Sequence, residues 1–216
     1  MNASPAESAR YTRNRPTRTG RPASRWGTAA YAALFIILAL IAVQCLRLGA
    51  AGLLVQTAQS EADRWTPARR APLMAEINHT AKYFNESLEY TPDTPGALEG
   101  AGALDLARMR ASRIPSEAHA AAREARERFR QALLQRPASP FLWANLALSK
   151  LYLDEIDSEM LAALRHADEL GPWEPSVQQT VLFVGLAVWP DLDPGMQQTL
   201  VRTIERGAAR NTVKMY

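Results

Sequence analysis

Cysteine is nearly absent. The 216 residues hold one, Cys45, which has no internal partner and lies inside an apolar run, so a disulfide-stapled miniprotein is excluded and the redox compartment stays open. Aromatic residues are also few, at 7%, while Ala, Leu, Arg and Glu dominate, a balance that favours helices over strands. The 11 glycines and 14 prolines follow no collagen-like period, and 47% hydrophobic residues exclude wholesale disorder. Histidine is scarce too: His79, His119 and His166 stand on separate expected helices without a spacing that would chelate zinc. A nucleophile elbow, a phosphate-cradling glycine loop and a dinucleotide fingerprint are all missing. The sequence therefore predicts no enzyme, no cofactor and no metal.

Net charge is small, and its placement matters more than its size. Residues 1 to 26 carry six arginines (Arg10, Arg13, Arg15, Arg18, Arg21, Arg25) against one acid, Glu7, a balance of +5, whereas the whole chain is +3 and the remainder is therefore −2. The basic character belongs to a leader, which argues against nucleic acid as a general partner. With Pro5, Pro16 and Pro22 among polar residues, this 1–25 leader is expected to be disordered, its arginines acting as a topogenic charge cluster.

What the chain does have is one long uncharged run, the 21 residues from Trp26 to Leu46. At about 1.5 Å per helical residue it spans roughly 30 Å, the thickness of a bilayer core. The 26–46 segment is predicted to be a transmembrane helix with the lipid bilayer as its solvent. The arginines on its N-terminal flank predict a cytoplasmic N-terminus and an extracytoplasmic C-terminal domain. Gln44 before Cys45 argues against a lipoprotein signal. Leu48 to Ser60 is also uncharged but too short for a second crossing, so 47–66 is read as a helical stalk.

From 67 to 210 the pattern is helical, followed by a 211–216 tail. Leu73, Met74, Ile77, Ala81, Phe84 and Leu88 recur at three- and four-residue steps until Thr91 to Gly96 breaks them. A stripe through Leu98, Ala101, Gly102, Leu106 and Met109 follows. Pro115 opens a charged helix from about Glu117 to Gln135. Ala125, Phe129, Ala132, Pro137, Trp143, Asn145 and Ala147 then resemble the second helix of a tetratricopeptide repeat followed by the first helix of the next. Small residues let backbones approach, large aromatic ones fill the gaps between hairpins, and the proline ends a helix. Ala163, Ala167, Leu170 and Pro172 continue the repeat, and a third pair is expected over Val177 to Trp189 and Pro194 to Ala209. The fold class is thus all-α: a single N-terminal transmembrane helix followed by a tetratricopeptide-like helical-hairpin solenoid.

The tetratricopeptide resemblance implies a groove lined by first-helix residues, with Phe141, Asn145, Leu148 and Tyr152 as its partner-binding candidates and Lys150 as a further one. Asp154, Glu155, Asp157 and Glu159 fall in a turn and at a helix start, where solvation and the helix dipole account for acids.

The stretch Leu164 to Pro175, continuing to Gly185-Leu186-Ala187-Val188-Trp189, resembles the VpsP-type polysaccharide biosynthesis proteins of proteobacteria. That resemblance implies an inner-membrane, single-pass accessory protein whose periplasmic domain docks proteins of an exopolysaccharide synthesis or export assembly. Two other readings remain beside it. One is a general envelope scaffold for secretion, pilus or cytochrome maturation, and the other a glycan-binding or glycan-acting module built on Trp173, Trp189 and Glu174. Burial of both tryptophans would remove the last.

Overall fold

The computed structural model describes residues 25–64 and 71–213, with side chains over 28–64 and 71–207. The arginine-rich leader to residue 24, the 65–70 link and residues 214–216 lie outside them, and with them the expectation about the leader; of the expected 211–216 tail, residues 211–213 are helical instead. Eight α-helices follow one another among the described residues: α1 (Arg25–Asp63), α2 (Met74–Tyr90), α3 (Pro95–Ala111), α4 (Pro115–Gln135), α5 (Pro140–Leu151), α6 (Ser158–Leu170), α7 (Pro175–Ala187) and α8 (Pro194–Val213). A 3-10 turn, Trp189–Asp191, joins the last two. The chain divides into two compact units, residues 1–43 and 44–216, with α1 running through the division.

The described part of the first unit is helix only. Leu34, Phe35, Ile36, Ile37 and Leu38 are each more than half exposed. Five consecutive helical residues point in every direction, so this stretch has no side that packs on protein. Its length and composition suffice to cross a membrane, and it is the one helix among the described residues that does so.

In the second unit, the end of α1 behaves differently. Ala51 and Ala58, two turns apart, are buried. Their small size brings α2 close enough for the Ser87 hydroxyl to donate to the Ala51 carbonyl at 3.0 Å. The Arg47 guanidinium donates to the Tyr90 carbonyl at 3.0 Å, placing a cation at the C-terminal end of α2, where the helix dipole favours one. Ala58, Ile77, Ala81, Phe84, Ala97, Ala101 and Leu104 then form a small core, with Val55 against it. The segment read as a stalk is helical to Asp63 and is also a packing element.

α3 carries the connection to the larger core. Leu98 and Leu106 join Phe129, Leu142, Leu146, Met160, Leu164, Val177, Val181 and Leu200 in one cluster across α3 to α8. The residues that suggested the repeat occupy its closest approaches: Ala125, Phe129, Ala132 and Ala147 are fully buried. A Cβ added at Gly102 would lie 2.9 Å from the Phe129 ring, so glycine on α3 makes room for that aromatic residue. Pro137 ends its segment as expected, and its carbonyl accepts the Trp143 indole N–H at 2.8 Å.

Proline also starts helices here. Pro95, Pro115, Pro140 and Pro175 stand at their first positions, where an amide donor is not needed. This shifts α7 two residues earlier at each end than the apolar pattern had indicated, because Pro175 begins it and Trp189 belongs to the 3-10 turn. Asp157 and Asp193 cap α6 and α8 by accepting from the Met160 and Met196 amides at 3.0 and 2.9 Å. The resulting order is three hairpins, α3–α4, α5–α6 and α7–α8, preceded by α2.

Candidate functional site

First helices α3, α5 and α7 lie side by side, and a hollow of about 250 Å³ opens between them. It is lined by Arg110, Leu148, Tyr152, Gln179, Thr180 and Phe183. Helical spacing explains the set: Leu148 on α5 and Tyr152, which caps that helix, are one turn apart, as Gln179 and Phe183 are on α7. The Arg110 guanidinium carbon stands 5.9 Å from the centre of the Tyr152 ring, a cation–π approach, and Arg110 has no ion pair among the described residues. The hollow therefore offers an available cation, amide and hydroxyl groups, and an apolar wall at Leu148 and the half-exposed Phe183.

The four sequence-derived groove residues do not all meet there. Leu148 and Tyr152 line this hollow. Phe141 is exposed and lines a separate one with Gln135, Arg136 and Pro137 at the α4–α5 corner. Asn145 is half-buried and lies on the same stripe of α5 between them. Arg110, Gln179, Thr180 and Phe183 escaped the sequence reading, which took its candidates from α5 alone. Aligning α7 on α5 by their first-position prolines would have indicated Thr180 and Phe183.

Lys150 belongs elsewhere. Its side chain is 1% exposed, and its ammonium donates to Asp157 at 2.8 Å, Glu159 at 2.7 Å and Glu155 at 3.2 Å. Asp154, with φ of 56°, takes the left-handed conformation that Asp tolerates, and the chain reverses there so that the Glu155 amide donates back to the Lys150 carbonyl at 3.0 Å. On α4, one turn apart, Arg126 donates to Glu155 and Arg130 to both oxygens of Glu159, with 2.8 Å from Nε to Oε1. Three of the four acids read as solvated turn residues, Glu155, Asp157 and Glu159, are thus counter-ions that tie α4, α5 and α6 together, while Asp154 makes the turn.

The electrostatics follow from these contacts. Burial pulls the Lys150 ammonium down, but the hydrogen bonds it donates to Asp157, Glu159 and Glu155 outweigh it and hold its pKa above the ordinary lysine value. Hydrogen bonding from Arg130, then Lys150, holds Glu159 down at about 2. At Glu155 burial pushes up, and hydrogen bonds from Arg126 and Lys150 reverse it. All members are thereby kept charged, which suits holding a turn and does not suit proton transfer.

Asp105 on α3, which is buried, is different. Its side chain is 1% exposed, and burial pushes its pKa up to about 6 against the pull of Arg128 and Arg108, with Glu124 adding to the rise. Arg108 bonds Oδ1 at 2.8 Å, while Oδ2, 3.3 Å from the Arg128 Nε, has no hydrogen-bond donor.

The histidines are scattered. His79 meets the Tyr83 ring edge-on, His166 packs 4.8 Å from the Trp143 ring, and His119 is exposed. Among the described residues no group of three or more His, Cys, Asp or Glu is arranged to hold a metal ion. Trp189 is half-buried, but Trp173 is 70% exposed beside exposed Glu174. The corner between α6 and α7 is closed by close packing and one hydrogen bond. Gly171 abuts α5, where an added Cβ would lie 2.7 Å from the Pro140 Cβ, and the Gln178 amide donates to the Pro172 carbonyl.

No protein-family model matches the chain, and no curated protein does. Among solved structures the chain is similar to one described as "MamA RS-1 ArsTM double mutant", with a TM-score of 0.54, 15% sequence identity, and coverage of 74% of this chain and 76% of that one. At that identity the likeness speaks for the fold alone, a tetratricopeptide-like helical solenoid.

Proposed function

We propose that this chain is a membrane-anchored, non-enzymatic accessory protein of exopolysaccharide biosynthesis or export, whose repeat domain docks a partner protein in the α3–α5–α7 hollow. The N-terminus stays in the cytoplasm, α1 crosses the inner membrane, and the helical domain lies in the periplasm. The observation that carries the docking role is the hollow itself, where Arg110 and Tyr152 stand beside Leu148 and Phe183. That set fits a peptide segment presenting a carboxylate next to an apolar side chain. Anchoring supports it physically, since confining both partners to one membrane raises their effective concentration and lets a modest contact suffice.

The polysaccharide assignment rests on the resemblance across Gly171 to Trp189, and the topology on the arginine-rich leader. Deletion of the protein, with exopolysaccharide output measured, is the test. Loss of polymer is expected, and undiminished polymer overturns the assignment in favour of a general envelope scaffold. A photoreactive residue at Tyr152 should trap one specific protein, and a reporter fused after Ser60 should be active only outside the cytoplasm.

The exposure of Trp173 favours a second reading, a glycan-binding surface formed with Glu174. Trp173→Ala should then weaken retention on the cell's own polysaccharide, and unchanged retention removes this reading.

A further inference from the structure

The two ends of the helices in the stack differ in chemistry. The last part of α1 and α2 run antiparallel: Arg47 meets the Tyr90 carbonyl, Ala51 meets Ser87, and Ala58 shares a core with Ile77. The α2–α3 corner therefore stands where α1 enters the stack. Glu99 near the start of α3 pairs with Arg136 at 3.2 Å, and Gly171 abuts Pro140. These contacts line up the α2–α3, α4–α5 and α6–α7 corners along that end, and leave the hairpin turns after α3, α5 and α7 at the other.

Every corner exposes large apolar side chains. Tyr90 ends α2, Leu134 in the last turn of α4 is 82% exposed, Phe141 stands in the first turn of α5, Leu170 ends α6, and Trp173 follows it. Apolar side chains gathered on one surface mark a place where something else binds. The hairpin turns instead expose Arg113, Asp154, Asp157 and Asp191 beside Ile114 and Ile156, and no aromatic side chain in those turns is exposed.

We propose that this corner end rests on the bilayer that α1 enters, with Tyr90, Phe141 and Trp173 at headgroup level and Leu134 and Leu170 against lipid. The inference rests on the reading of α1 as a membrane span. Two observations select lipid as the occupant. The uncharged run ends at Leu46, and the next residue, Arg47, belongs to the same unbroken helix and already bonds the end of α2. The α2–α3 corner thus stands at the lipid boundary with no linker to carry it away. Aromatic side chains, tryptophan above all, favour that boundary, where a ring buries its apolar body and keeps its polar tip wet. The exposed charges here, Glu89, Asp93 and Glu174 against Arg136, are mostly acidic, so the contact is apolar and does not draw on anionic headgroups. From Pro140 to Tyr152 the chain rises about 18 Å at about 1.5 Å per residue, which leaves the α3–α5–α7 hollow clear of lipid and open to a partner. Trp173 then meets lipid and not a glycan.

The test is electron paramagnetic resonance of the full chain in phosphatidylcholine vesicles. Cys45→Ser removes the native thiol, and a nitroxide is placed through Ala138→Cys or Ser176→Cys, exposed neighbours that leave Phe141 and Trp173 intact. Both labels should be reached more readily by oxygen, which partitions into lipid, than by a water-soluble nickel chelate. A label through Ile156→Cys, in the α5–α6 turn, should show the reverse. Trp173→Glu should return the Ser176 label to water with helix content unchanged, since that ring is exposed within the stack. A label through Leu38→Cys separates the two ways of failing. With position 38 in lipid and positions 138 and 176 open to nickel, the span stands and the proposal is overturned. With position 38 in water, the span reading fails and takes the proposal with it. Labels closed to both oxygen and nickel would mean that protein covers this end, and lipid contact that needs added phosphatidylglycerol would mean an ionic attraction; either result overturns the proposal.

Discussion

Lys150 Nζ lies 2.7 Å from Glu159 Oε2, and the lysine side chain is sealed from solvent while the glutamate remains 38% exposed. The pair joins a fully buried cation to a partly wet ring of carboxylates, so its charge is satisfied by geometry rather than by water.

Replacing Lys150 with methionine should therefore cost about 2 to 4 kcal/mol of unfolding free energy, less than a wholly buried pair because its acids keep some solvent. Urea titration in detergent measures it. The pH dependence has a definite sign. Glu159, Glu155 and Asp157 are held below their ordinary values, so their contribution is present above the ordinary carboxylate range and disappears as pH falls from 4.5 toward about 2 for Glu159. Lys150 is held up, so its share is complete at neutral pH and is lost only above the ordinary lysine value. The acid limb of the stability curve should flatten in Lys150→Met.

Asp105 should act in the opposite direction. Its folded pKa of about 6 exceeds the ordinary 3.8, so the folded state holds the proton more tightly, and the associated stability is full below 3.8 and lost as pH rises through about 6. Asp105→Asn should remove a fall of roughly 2 to 3 kcal/mol over that interval, the order expected for a shift of about two pH units. Unfolding midpoints between pH 4 and 7 check this, and a curve identical to wild type contradicts it.

Glycine substitutions should separate close packing from helix propensity. A Cβ at Gly100 on α3 would overlap the stiff Phe84 ring, whereas Gly52 on α1 has nothing within 4 Å. Gly52→Ala should stabilise by up to about 1 kcal/mol and Gly100→Ala should destabilise by about 1 to 3 kcal/mol, as measured by thermal unfolding.

Arg110→Glu should reverse the charge of the hollow with little effect on stability, within about 0.5 kcal/mol, because the residue is exposed and has no ion pair to break. Crosslinking from a photoreactive group at Tyr152 should then lose its specific product. Retention of the same product at the same yield would show that the arginine takes no part in docking.

Much of the fold was legible because the relevant signals are local. The run of α1, the breaks after Tyr90 and at Pro137, and the small and aromatic set from Ala125 to Ala147 each depend on residues within a turn or two, although Pro95 and Gly96, expected in the first break, already belong to α3. Lys150 carried a clue as well, as one of three lysines among 25 basic residues and enclosed by Leu146, Leu148, Leu151 and Leu153. Its role stayed hidden because Arg126 and Arg130 approach the same acids from another helix. Half of the hollow stayed hidden for the same reason: Arg110 and Phe183 come from elements on either side of the one helix that the motif singled out.

The amino-acid sequence alone determined that the chain is helical, that one stretch has the length and greasiness to cross a bilayer, and the order in which the paired rods follow one another. These follow from periodicity, helix breakers and the unfavourable transfer of charge into lipid. Tertiary structure alone decided that the end of α1 packs on α2, that Lys150 is buried among acids, and that Tyr90, Phe141 and Trp173 are left open at one end of the stack. Each of these depends on which helices become neighbours, and adjacency in space is a property of the assembled stack that no single segment encodes.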